Sequence, residues 1–273
     1  MSRGKSDLAT RLGVAFALIG LAFAALWSGG FGFWLVVSVA GVLMMGEWGG
    51  LARVEAGQAK LGQYAVSVPI AAMCPLAAGP GFLALGLIAG AFFFLAVVTR
   101  RLQLALGAFY VGLPILALLL LRTHPEGFAV TFWTMAVVWA CDSGAYFAGR
   151  AIGGPKLSPR ISPNKTWAGA IGGVVAAVAF SFIFWRFVGP QIPGALMLIM
   201  LSPWLAILAQ AGDLFESHLK RVAGVKDSGN MLPGHGGLLD RLDGLVPVAP
   251  VVAVMMAWHY WHLIGVVTGK FWW

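Results

Sequence analysis

Nine stretches of mostly apolar residues follow one another along the chain, each close to the length needed to cross a bilayer and each ended by a short polar interruption. A spanning helix takes about 20 such residues. On that measure the candidates lie at 9–27, 31–48, 63–79, 81–99, 103–121, 128–148, 167–188, 193–212 and 244–268. The third and fourth are separated only by Gly79-Pro80-Gly81, a turn signal inside continuous apolarity. The pattern predicts an all-α, polytopic integral membrane protein of about nine transmembrane helices. The N-terminal stretch leads into the first apolar run with no small-x-small cleavage site beyond it, so a retained span is expected rather than a cleaved signal peptide.

Composition agrees with that pattern. Hydrophobic residues fill 60% of the 273 positions, against roughly 45–50% in soluble domains, and mean hydropathy is +0.87. The net charge of +8 in a soluble protein would suggest nucleic acid as a partner; in a membrane chain it is the division of bases between loops that carries information, and no nucleic-acid partner is expected. With the N-terminus cytoplasmic, 15 of the 18 bases fall on the inner side and only Arg122, Arg186 and Lys270 on the outer. The two cysteines, Cys74 and Cys141, lie within apolar runs and read as small buried hydrophobes.

The acids break the pattern. Only ten occur, and Asp142, Asp213, Glu216, Asp227, Asp240 and Asp243 all lie within about a hundred residues, on or near the predicted cytoplasmic side. Charge next to hydrocarbon costs about 2.5 to 3.5 kcal/mol per residue on insertion scales, so a concentration of it calls for a cause. Asp213, Glu216, Ser217 and Lys220 recur at i, i+3, i+4, i+7 and share one helix face if the eighth span continues past residue 212. Asp142 directly follows an apolar run and needs a partner nearby. Glu47 ends the second span; a local pair with Arg53 is the expectation, contact with the acidic cluster the alternative.

Residues 217–243 form a charged, glycine-punctuated island holding four bases and three acids. Residues 150–166 form a second, whose Ser-Pro pairs and Gly153-Gly154 imply turns and whose Lys156, Arg160 and Lys165 set positive charge at the interface. Three explanations compete for the acids: simple ion pairing with Lys220, Arg221, Lys226 and Arg241; a proton or cation relay; and a site for charged ligands. Hard oxygen ligands suit Mg²⁺, which typically takes one or two carboxylates plus substrate phosphates. The amides of Pro233-Gly234-His235-Gly236-Gly237 are free of side-chain obstruction and can approach an anion. Acids, bases and bare amides together describe phosphoryl or nucleotidyl transfer.

The run Ser217, Lys220-Arg221, Lys226-Asp227, Gly229, Leu232-Pro233, His235-Gly236-Gly237, Asp240-Arg241 and Asp243 resembles the signature of the phosphatidate cytidylyltransferases, also called CDP-diglyceride synthases. Asp142-Ser143-Gly144-Ala145-Tyr146, Ser162-Pro163-Asn164-Lys165-Thr166 and Gly212-Asp213 resemble the same family. The resemblance covers residues 142–243 and implies a reaction in phospholipid biosynthesis: CTP and phosphatidate give CDP-diacylglycerol and pyrophosphate, with Mg²⁺ and a possible K⁺ beside it. It also implies a homodimer and a bacterial inner membrane, with the active site facing the cytoplasm. On this reading Asp213 and Asp240 hold the metal, while Asp142, Asp227 and Asp243 complete or orient its shell. Lys165, Lys220, Arg221, Lys226 and Arg241 neutralise phosphates, and Asn164, Ser217, Gly236 and Gly237 contact substrate. His235 donates to the nucleotide or leaving group, or else shapes its loop. Residues 1–140 then form an N-terminal membrane region and 141–273 the catalytic one, with cytoplasmic loops at 149–166 and 212–243. A polyprenol kinase, a CDP-ether-lipid synthase and a cation-coupled transporter are the rivals. The sequence Trp258-His259-Tyr260-Trp261-His262 reads as an aromatic interface belt.

Overall fold

The computed structural model describes residues 3–188, 195–229, 231 and 236–268. Each of the nine apolar stretches falls on a helix: α1 (Arg3–Ser28), α2 (Gly30–Leu51), α3 (Ala56–Ala72), α4 (Phe82–Thr99), α5 (Leu102–Thr123), α6 (Gly127–Ile152), α7 (Trp167–Val188), α8 (Ala195–Ala223) and α10 (Leu245–Thr268), with the short α9 (Leu239–Leu242) before the last. Six of these, α2 and α4 to α8, are long and apolar enough to cross a membrane. The α3 helix, at 17 residues, lies seven residues earlier than the sequence pattern suggests, because Pro75 disfavours helical backbone at the residue before it. The α8 helix runs on to Ala223, carrying the polar stripe with it.

Among the described residues, a hairpin forms where turns are expected. Strands β1 (Lys156–Ser158) and β2 (Ser162–Thr166) pair antiparallel, Lys156 opposite Thr166 and Ser158 opposite Ser162. A two-stranded ladder leaves both strands as edges, so Pro163, which has no N–H to give, is tolerated there.

The α5 helix is the pillar of the bundle. Thirteen of its residues are buried, and α2, α3, α4, α6 and α10 all pack on it. Indole N–H groups tie neighbouring helices where no water is present to take them: Trp34 Nε1 donates to the Ile70 carbonyl at 2.9 Å, Trp48 Nε1 to Gln103 O at 2.8 Å and Trp133 Nε1 to Ser181 Oγ at 3.1 Å. Helices α6 and α7 approach through glycine. A Cβ on Gly172 would press on the Ala148 methyl, and one on Gly173 would lie 2.9 Å from Cys141 O, the close backbone approach that small residues permit in membranes. Cys74 and Cys141 are free thiols and buried, as expected.

Two arginines finish helices that are not their own. Arg122 Nε donates to Leu26 O in the last turn of α1, and Arg53 Nε to Ala223 O, the last residue of α8. A cation at a helix C-terminus meets both the orphan carbonyls and the negative end of the dipole. The outward faces carry Phe16, Phe82, Phe93, Val97, Phe187, Met200, Trp204 and Trp258, all more than half exposed. Such a continuous apolar surface belongs against lipid rather than water. Trp258 fits the expected belt; the side chains of Tyr260, Trp261 and His262 lie outside the described residues.

Candidate active site

The stripe on α8 forms as its spacing predicts. Ser217 Oγ donates to Asp213 Oδ1 at 3.3 Å, and one turn on Lys220 Nζ donates to Glu216 Oε2 at 3.2 Å. Two other elements dock on it. Lys165, on β2, forms an ion pair with Asp213, so the hairpin is held to α8 at the site; Arg221 Nε holds it again by donating to Ile161 O at 3.3 Å. From α9, Asp240 brings Oδ1 to within 2.6 Å of Lys220 Nζ.

Asp240 is the hub of the island. Its second oxygen accepts from the Ser228 N–H at 2.9 Å, the Ser228 hydroxyl at 3.0 Å and the Gly237 N–H at 2.8 Å. Burial alone would raise the Asp240 carboxyl; the Lys220 ammonium and the N–H groups of Gly237 and Ser228 outweigh it and hold the group below its ordinary value. Both oxygens of Asp240, expected beside Asp213 as a metal ligand, accept hydrogen bonds from protein donors. The N–H of Gly237, expected to contact substrate, donates to Asp240 Oδ2. Gly236 adopts φ +80, and a Cβ there would lie 2.8 Å from Asp240 Oδ2, so glycine is needed for the turn itself.

Glu47 takes the alternative to the Arg53 pair, contact with the charged island. It reaches the island from α2, accepting from Leu238 N–H at 2.8 Å on Oε1 and from Leu239 N–H at 2.8 Å on Oε2. The Ser228 hydroxyl lies 3.1 Å from the same Oε2. The expected pair with Arg53 is not formed, since Arg53 turns to the end of α8. The sequence carried one signal only, an acid ending an apolar helix.

The remaining acids gather on the other side of Lys220. Glu216 is fully buried, and its Oε1 has no hydrogen-bond partner although the Asp243 carboxyl is its neighbour. Two carboxylate oxygens cannot donate to each other; their approach is stable only with a proton or a cation between them. Burial, reinforced by Asp213 and Asp142, pushes the Asp243 carboxyl well above the usual carboxylate range. Asp142 is exposed and within electrostatic reach of Asp213, Lys165 and Arg241. The donor set is all hard oxygen, which fits a magnesium ion, and the orphan oxygen of Glu216 beside Asp243 fits a missing positive charge. No three His, Cys, Asp or Glu side chains among the described residues are gathered closely enough to hold a metal between them. The four-carboxylate set of Asp142, Asp213, Asp240 and Asp243 is therefore not a closed cage.

Around these acids stand the bases. Lys226, Asp227, Arg241 and Asn164 are exposed, and an open cleft of about 710 Å³ lies between the hairpin tip and α8, lined by Leu157, Arg160, Ile161, His218, Arg221 and Val222. His235 lies outside the described residues, as do Leu232, Pro233 and Gly234.

Known proteins are similar to this chain in sequence. The cytidylyltransferase family matches over residues 9–259. A phosphatidate cytidylyltransferase of Brucella suis is 42% identical over 252 residues, 90% of this chain and 92% of its own length. Proteins of the same name from Bacillus subtilis and Haemophilus influenzae are 42% identical over 56% of the chain and 44% identical over 46% of it, covering 57% and 44% of their own lengths. Because the match spans nearly every helix as well as both charged islands, this chain belongs to the cytidylyltransferase family.

Proposed function

We propose that this protein transfers the cytidylyl group of CTP to phosphatidate, giving CDP-diacylglycerol and pyrophosphate. The observation that carries this reading is the meeting of α6, α8, α9 and β2 at one end of a membrane bundle, with carboxylates and ammonium groups interleaved, in a chain so similar over its length to proteins named for that activity.

A phosphatidate oxygen attacks the α-phosphorus of CTP, the bond to the β-phosphate breaks, and the electron pair leaves with pyrophosphate. The nucleophile is already anionic, so no strongly basic side chain is required. The barrier is the repulsion between two polyanions, and catalysis is positioning and charge cancellation. Lys226 and Arg241, exposed beside the acids, serve the triphosphate. The cleft that sets Arg160 and Arg221 among Leu157, Ile161 and Val222 suits an amphiphilic phosphate, with the bases on the headgroup and the apolar wall on its glycerol end. Lys165 and Ser217 fix the rotamer of Asp213.

Asp213 and Asp243, with Asp142 at the rim, are the residues that would hold magnesium. An open set is what that ion uses when substrate phosphates complete its shell. When bound it supplies positive charge shared between phosphates, and a monovalent cation beside it would answer the unpartnered oxygen of Glu216. The division of bases between the loops supports nine spans with the N-terminus and the site on the cytoplasmic side, and the bacterial relatives support an inner membrane.

The test is one assay: purified protein in detergent with labelled CTP, magnesium and a panel of lipids. Pyrophosphate and CDP-diacylglycerol should appear in equal amounts and only with phosphatidate. Turnover with a polyprenol or an ether lipid in its place, or none with any lipid, would remove the assignment.

A further inference from the structure

Glu47 belongs to the half of the chain that the signature motifs do not reach, yet it lies at the centre of the motif loop. It is 9% exposed and separated from its partners by 181 to 192 positions. A carboxylate this buried costs several kcal/mol unless charge-assisted hydrogen bonds meet it. Two backbone N–H groups do so here, and the Ser228 hydroxyl, whose one proton is shared between Glu47 and Asp240, stands beside them; all three come from the segment that carries Lys226, Asp227 and Asp240.

The glycines of that segment are shaped around it. A Cβ on Gly229 would lie 2.6 Å from Glu47 Oε1, and one on Gly237 would lie 2.7 Å from Glu47 Oε2. Both are contacts that real side chains do not make, so an alanine at either place would push the carboxylate out. The Ser228 hydroxyl, between Glu47 Oε2 and Asp240 Oδ2, extends the contact into the site. From there it continues through Lys220 to Glu216 on α8. One chain of polar contacts thus runs from α2 to α8 through the island.

We propose that Glu47 is a positioning residue for cytidylyl transfer: it sets the conformation of residues 228–229 and 236–240 and, through Ser228, aims Asp240 and Lys220. This rests on the function proposed above. A residue acting through neighbours in this way typically affects activity about 10- to 100-fold.

The experiment compares Glu47→Gln, Glu47→Asp, Ser228→Ala and the Glu47→Gln/Ser228→Ala double variant in detergent, by turnover at saturating CTP and phosphatidate and by amide hydrogen exchange across 224–242. Glu47→Gln keeps the shape but opposes an NH₂ to a backbone N–H. We expect kcat to fall about 10- to 100-fold in Glu47→Gln and in Ser228→Ala, with partial recovery in Glu47→Asp. The double variant should be no worse than the poorer single one, because both cut the same link. Exchange should rise in 224–242 and stay unchanged in α4 and α5. A kcat within twofold of wild type in either single variant, losses that multiply in the double, or unchanged exchange in the loop would overturn the proposal. Should Glu47→Gln fail to fold, Ser228→Ala decides by the same criteria. Wild-type protein that transfers no cytidylyl group would sink the function instead, while the exchange data would still judge the latch.

Discussion

Asp213 answers to two neighbours at once, Lys165 from the hairpin and Ser217 from its own helix, so its charge does two things: it anchors β2 and it faces Asp142 and Asp243. Asp213→Asn removes the charge and keeps the shape. The variant should fold in detergent and lose about 100-fold or more in kcat; a tenth of wild-type turnover would take Asp213 out of the reacting centre. Asp240 is the opposite case, a carboxylate whose value lies in its donors. Its native carboxyl is held below the ordinary range, so the unfolded chain binds the extra proton. Its contribution to stability is complete above the ordinary carboxylate range and disappears as pH falls through the depressed native value. Asp240→Asn should cost about 2–3 kcal/mol at neutral pH and flatten the acid side of the thermal-stability curve. An unchanged pH profile would mean that the contact with Lys220 carries no linkage. The stripe of Asp213, Glu216, Ser217 and Lys220 could be read from spacing alone, because a helix fixes which residues share a face. The donors to Asp240 could not, since loop geometry decides them, and the Glu47 contact could not, since a base six residues away is the simpler partner on paper.

At the scale of elements, the apolar runs located every long helix, and their errors have local causes. Pro75 ended α3 early, and the polar stripe let α8 continue past the point where hydropathy falls. The hairpin of 156–166 was legible only as turns, because Ser-Pro pairs argue against a strand until it is known to be an edge. The glycines of α7 pack directly against α6. The contact makes a prediction: Gly172→Val forces a side chain against Ala148 and toward Gly144 O, 3.1 Å from the position of the new Cβ. Overpacking of this kind costs about 1–3 kcal/mol, so the melting temperature in detergent should drop. Because α6 carries Asp142, activity should fall with it at temperatures below the transition. An unaltered melting temperature would show that the two helices separate without cost.

For the molecule as a whole, contacts cross the division between residues 1–140 and 141–273. Helix α2 supplies Glu47, α5 packs against α10, and Arg53 finishes α8. Topology is a property of this scale. Single cysteines placed at Lys156 and Lys226 in a variant lacking Cys74 and Cys141 should react with a membrane-impermeant thiol reagent only in inverted vesicles, and one placed at His124 only in right-side-out cells. Labelling of 156 and 226 from opposite sides would refute the orientation drawn from the loop charges.

The pillar α5 has a neighbour that the ribosome delivers more than a hundred residues later, since α10 covers a flank of it and α9, just ahead of α10, brings in Asp240. A nascent chain released before residue 245 therefore leaves that flank to lipid and the island without its support. The packing around α5 and the support of the island are complete only once α10 has been synthesised.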